Sequence, residues 1–191
     1  AKRTDGRVKI TMYPGGALGT PPAHYDMAVK GISDITYVTQ GFSGGRFLRT
    51  SVIEVPLLAS SAEIGSLVLW DLWEKGLLPE YGDVKVLSLW TLSPFLIFST
   101  KPVRSLEDVR GMKVRASDTP HVEVVKALGG APVPMPISDL YPALERKVVD
   151  AACQPWSSVV QFRANEYCKY YVDIPFSPLS QALVMNLDSW K

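Results

Sequence analysis

Between Gly111 and Pro120 the chain reads GMKVRASDTP, in which Met112, Val114 and Ala116 alternate with Lys113, Arg115 and Ser117. A period of two places the apolar set on one face of a strand. The next stretch, HVEVVKALGG, predicts a helix: Thr119 is placed to cap it, Pro120 suits its first position, and Gly129 and Gly130 end it. Arg115 is therefore expected near the carboxyl end of a strand, just ahead of a helix N-terminus. Open α/β sheets bind ligands at such places, and the helix end favours an anion there.

The same reading extends along the chain. RVKITMY alternates as a strand and is followed by the turn PGGALG. Thr20 and Pro21 open a helix that runs to Gly31, and SDITYVTQ forms the next strand, giving β, α, β. Ser60 and Glu63 have capping-box spacing at the start of a helix that is apolar on most sides, expected to be buried and to stop at Gly76. DVKVLSLWTL, LIFST and KVRAS read as strands, with Trp70, Trp73 and Trp90 in the core. In GGAPVPMPIS, prolines 132, 134 and 136 remove donors along one side, which predicts a sheet-edge strand. Ser138 is placed to cap a helix with Leu140, Leu144 and Val148 on one stripe, and VVDAACQPW leads into a further helix through Tyr167. Alternating strands and helices predict an α/β fold with mainly parallel sheets, and the pattern breaks near Ser93 and Pro94.

Composition narrows the function classes. Twenty Lys and Arg against 19 Asp and Glu leave a net charge of +1, which offers no general attraction to nucleic acid. No apolar run reaches the ~18–20 residues of a membrane span, so direct membrane insertion is not expected. Cys153 and Cys168 have no metal-ligand spacing, and either two free thiols or one disulfide fits them. His24 and His121 have no HExxH context. Neither a metal nor a cofactor is expected.

One motif suggests an enzyme. GFSGG, Gly41 to Gly45, matches the G-x-S-x-G nucleophile elbow and would make Ser43 a serine-hydrolase nucleophile, but RFLRTSVIEVP after it lacks the helix an elbow needs. PGGALG lacks the spacing of a phosphate-binding loop. Trp156, just past the strand in VVDAACQPW, is placed where the chain turns and a large ring can face a cleft.

Several segments in order, RVKITMYPGGALG, GISDITYVTQGFSGGRF, KPVRSLEDVRGMKVRASD, LGGAPVPMPISDLYPALERKVVDAACQPW and LVMNLDSW, resemble the DctP-type solute receptors of TRAP transporters. The resemblance implies a non-enzymatic periplasmic receptor of two hinged α/β lobes, which closes on an organic acid and delivers it to TRAP permease subunits in the membrane. It assigns Arg115 a two-pronged salt bridge to the ligand carboxylate, Gln154 the role of an amide that is usually asparagine, and Ile137 an apolar contact. Phe95 falls where acidic-sugar receptors carry a second arginine. Ser117, Trp156 and Phe42, the last from a GFSGG lid, complete the expected ligand-binding set. The resemblance further implies a chain incomplete at both ends, with a first lobe over roughly residues 1–93, a second over 94–180 and a return to the first over 181–191. A ligand-sensing domain of a transcriptional regulator would share such a fold. The residues favour an apolar or aromatic monocarboxylate, such as a 2-oxo or 2-hydroxy acid.

Overall fold

The computed structural model describes residues 4–191 and contains two β-sheets, each with its own helices. The first sheet has the order β1 (Ile35–Thr39), β8 (Ser180–Met185), β2 (Lys85–Thr91), with β8 antiparallel to both neighbours. Helices α1 (His24–Val29) and α2 (Ala62–Glu74) pack with it around a core that includes Tyr25, Val38, Leu69, Val86 and Val184. The β-branched residues of β1 and β8 supply the stiff side chains that suit a pleated surface.

The second sheet has the order β5 (Ala131–Pro134), β4 (Lys113–Ala116), β6 (Ala151–Gln154), β3 (Leu96–Ser99), β7 (Tyr170–Val172). Short α3 (Leu106–Val109) precedes β4, and α4 (Thr119–Ala127) covers one face over Val114, Ile97 and Val125. Helices α5 (Leu140–Glu145) and α6 (Trp156–Gln161) cover the other over Phe98, Leu144 and Val159. Proline-rich β5 lies at the edge, where a missing N–H costs no ladder bond.

The chain crosses between the sheets at residues 92–95 and again at 173–179. The two crossings are tied by backbone bonds: Leu92 N–H donates to the carbonyl of Leu179 (2.9 Å), Phe95 N–H to Ser177 (3.0 Å) and Phe176 N–H to Phe95 (2.9 Å). After β8 the chain ends in the short helix α7 (Leu187–Trp190), capped by Asn186, whose side chain accepts from the amides of Asp188 and Ser189.

Several expectations need correction. The first sheet is antiparallel throughout and the second is mixed: only the β4–β5 and β4–β6 pairs are parallel, and β3, which follows β2 through a short crossing, enters antiparallel to β6. RVKITMY forms no strand. It has no neighbouring strand to supply ladder bonds, and Val8, Ile10 and Met12 are exposed. The helix after Thr20 begins as a 3-10 turn, and Thr20 makes no side-chain cap bond. Ser61, not Ser60, caps α2 by accepting from the amide of Ile64 (3.2 Å). That helix is only partly buried: Gly65 and Leu69 face β2, while Ile64, Leu67 and Val68 face solvent, since a single sheet covers one stripe. Trp70 and Trp73 flank the first core, partly buried, and Trp90 packs its ring on Tyr37. Ser138 lies within a 3-10 turn ahead of α5, and Val148 is exposed past the helix end. α6 stops at Gln161, well short of Tyr167.

Candidate functional site

Arg115 is the penultimate residue of β4 and is buried. The β4–β6 register sets it beside Ala152, and Gln154, two residues further along β6 and opposite Leu96, shares that face. The guanidinium is turned onto main-chain carbonyls: Nε and Nη2 donate to Met135 (3.1 and 3.0 Å), and Nη1 lies 3.5 Å from that of Cys153. Among the described residues no carboxylate lies within ion-pair distance of it. A buried cation held only by carbonyls is costly until an anion joins it. Gln154 is in a similar position, fully buried with neither Oε1 nor Nε2 hydrogen-bonded.

Beyond the strand, Asp118 rather than Thr119 caps α4, accepting from the amide of His121 (3.0 Å), and Thr119 and Pro120 become the first two helical residues. The run Ser117-Asp118-Thr119 offers three capping types in succession, and the carboxylate prevails because it also pairs with His121. Nδ1 of His121 lies 2.7 and 2.8 Å from the two Asp118 oxygens, and Ser117 Oγ donates to Oδ2 (2.7 Å). Burial raises the pKa of Asp118, but the bonds from His121 and Ser117 outweigh it, and its carboxyl is held below the ordinary value. The imidazole stacks on Phe95 with centroids 4.0 Å apart, and its Nε2 is 3.4 Å from Ser177 Oγ in the second crossing.

A cavity of about 300 Å³ lies at this strand end, lined by Gly41, Phe42, Ser117, Asp118, Thr119, Val122 and Pro134. It is built from both sheets' loops, since Gly41 and Phe42 follow β1 while the rest surround β4, α4 and β5. Of the sequence-predicted residues, Ser117 and Phe42 are in its wall. Arg115 and Gln154 are buried together on one face of the sheet, and Ile137 packs against the same core. Phe95 is on the opposite face, where its ring is occupied by His121. Trp156 opens α6, half exposed, with its ring against Phe98 and Tyr171 (4.8 Å each) rather than in the cavity. The spacing of Asp118 and His121, one helical turn apart, is the signal that marks a pair sequence reasoning passed over.

Two further features settle open alternatives. Ser43 follows a 3-10 turn rather than entering a helix, and its hydroxyl is buried without a hydrogen-bond partner, so it has no base to activate it. Cys153 and Cys168 are free buried thiols that belong to the cores on opposite faces of the second sheet.

Glu54, at the end of a 3-10 turn, reaches the second crossing from the other side. Its Oε1 accepts from the amide and hydroxyl of Ser180 (2.8 and 2.5 Å), and Oε2 has no partner. Burial pushes its pKa up, with the bonds from Ser180 pulling against it. A carboxyl raised in this way contributes stability below its unfolded pKa and loses it as pH rises through the folded value. Asp118 has the opposite sign: its contribution is present above the unfolded pKa and fades as pH falls through the depressed one. Glu54→Gln should therefore flatten the fall in melting temperature as pH rises above about 4.5. Melts across that range check this, and a slope equal to the wild type's would refute it.

The whole chain, residues 1–191, matches the family model for DctP, the bacterial extracellular solute-binding proteins of family 7. The chain belongs to the DctP family. This DctP-family chain is 30% identical to a TRAP solute-binding protein from Rhodoferax ferrireducens solved with copurified benzoate, with a TM-score of 0.88 over 99% of the chain and 61% of that structure. It is 29% identical to a TRAP periplasmic solute-binding protein from Bordetella bronchiseptica with bound mandelate, with a TM-score of 0.86 over 99% and 61%. Among curated relatives, it is 23% identical to the sialic acid-binding periplasmic protein SiaP of Vibrio cholerae, over 98% of the chain and 60% of that protein. The DctP-family chain thus spans about half to three-fifths of the length of the curated relatives it matches. It has the two-lobed α/β architecture of periplasmic TRAP receptors, which are binding proteins and not enzymes.

Proposed function

We propose that this chain forms the ligand-holding part of a receptor that captures an organic monocarboxylate with an apolar or aromatic remainder and passes it to TRAP permease subunits. The observation that carries the reading is Arg115: a buried guanidinium with no carboxylate of its own, beside a buried amide, Gln154, with both polar atoms unmatched. A guanidinium fork fits a carboxylate with two parallel bonds, and Gln154 suits a hydroxyl or oxo group next to it. Ser117 and Phe42 provide a polar and an aromatic contact from the cavity wall, with Ile137 and Trp156 as apolar flanks. Phe95, expected to line the pocket, instead packs on the opposite face against His121 and has no ligand role in this reading. In this reading the first lobe covers roughly residues 1–93, the second 94–180, and 181–191 return to the first. The benzoate and mandelate carried by two similar structures are of the proposed class.

A thermal-shift panel of benzoate, mandelate, succinate and glucuronate tests the class. A ligand at ~100 times its dissociation constant stabilises by ~2.7 kcal/mol, or roughly 5–10 °C for a protein of this size. The aromatic monocarboxylates should give that shift. A response to succinate or glucuronate alone would refute the apolar remainder, because an unpaired second polar or charged group against such a wall costs several kcal/mol.

A further inference from the structure

Arg115 can hold a ligand carboxylate only if no carboxylate of the protein claims it first. Asp118, three residues on, is the acidic side chain whose charge reaches Arg115, with the buried thiol of Cys153 as the other nearby titratable group. Burial pushes that thiol's pKa up, so it stays protonated and neutral. Glu54 also lies within electrostatic range of Asp118, but it is tied to Ser180.

What holds Asp118 away from Arg115 is visible in its bonds. Three donors reach its oxygens: the amide of His121, the hydroxyl of Ser117, and the His121 ring nitrogen Nδ1, which lies within hydrogen-bond distance of both. They engage most of the carboxylate's roughly four lone-pair sites. Its side chain is fully buried, as is that of His121. The imidazole in turn is fixed on three sides, by Phe95, by Ser177 and by its place in the first turn of α4.

We infer that His121 is a positioning residue for anion capture: by occupying both oxygens of Asp118 it withholds that carboxylate from Arg115 and leaves the guanidinium to the ligand. The inference rests on the reading of Arg115 as the anchor. It assigns no ligand contact to His121, whose effect passes through Asp118. Neither residue is a surface charge, so solvent cannot screen the pair in its place.

The test is a double-mutant cycle read by titration calorimetry with benzoate. His121→Phe keeps a ring against Phe95 but removes the nitrogen, and should weaken benzoate binding about tenfold or more as Asp118 turns its charge on Arg115. Asp118→Asn keeps a capping side chain but removes the competing charge, and should tighten binding by about two- to tenfold. The double variant should return to within about threefold of wild type, a recovery that a purely structural role of His121 would not produce. Full affinity in folded His121→Phe, or a folded double variant as weak as the single, overturns the inference and leaves the monocarboxylate reading standing. Should His121→Phe not fold, Asp118→Asn decides: a gain supports the inference, and unchanged or weaker binding overturns it. A wild-type receptor that ignores benzoate refutes the functional reading for that ligand and takes this inference with it.

Discussion

Replacing Arg115 with alanine is expected to weaken binding of an aromatic monocarboxylate by about 2–5 kcal/mol, roughly 30- to 5,000-fold. The magnitude follows from burial. Arg115 is 3% exposed, so a carboxylate drawn to it leaves water on arrival, and without Arg115 it would be left desolvated and unpaired. Arg115→Lys should restore only part of the loss, since an ammonium cannot present two parallel N–H bonds. The unliganded protein should melt at or above the wild-type temperature with alanine there, because the variant also removes an uncompensated buried cation. Calorimetric titrations and thermal melts of the same samples separate the two effects. Wild-type affinity in Arg115→Ala would exclude Arg115 as the anchor.

A second large effect is expected at Gly41. A Cβ placed there would stand 3.3 Å from both Asp118 Cβ and Leu179 Cδ1, so this residue of the loop after β1 meets the cap of α4 and the crossing segment at once. Valine adds two further carbons to a Cβ already crowded by both neighbours, and overpacking of this kind costs about 1–3 kcal/mol. The strain falls on any conformation in which the loop lies against Asp118. Opening the cleft relieves it, so the cost should appear in ligand affinity, about 5- to 150-fold, with little change in unliganded stability. Small-angle scattering should show a more extended Gly41→Val protein at equal ligand concentration. Affinity and compaction matching wild type would show that the loop closes by another contact.

β4 was legible from period-two alternation, β3 and β6 from short apolar runs that the structure buries on both faces, and β5 from its prolines. RVKITMY was misassigned because alternation reports a face, while a strand also needs a neighbour. The starts of α2 and α4 were legible to within a residue, with Ser61 and Asp118 each winning over an adjacent candidate through side-chain bonds that composition does not encode, while α6 ends well before the expected Tyr167. Arg115 was legible as a residue at a strand's carboxyl end. The contacts that give its surroundings their charge were not: Phe95 meets His121, and Glu54 meets Ser180, across separations that local pattern does not reach. Trp156 illustrates the converse, since its place after the strand was read correctly while its ring turned to Phe98 and Tyr171.

The position of β8 at the centre of the first sheet governs the order in which the molecule can be built. Among the described residues β1 and β2 touch that sheet only through β8, so neither is bonded to a strand until residues 180–185 are in place. The second sheet draws all five of its strands from the continuous stretch 96–172 and can be complete by then. The pairing of Val38 with Ala182 joins residues separated by most of the chain. Contacts of such long separation slow folding. Substitutions that weaken β8 should therefore loosen β1 and β2 together, while the second sheet keeps its own pairings.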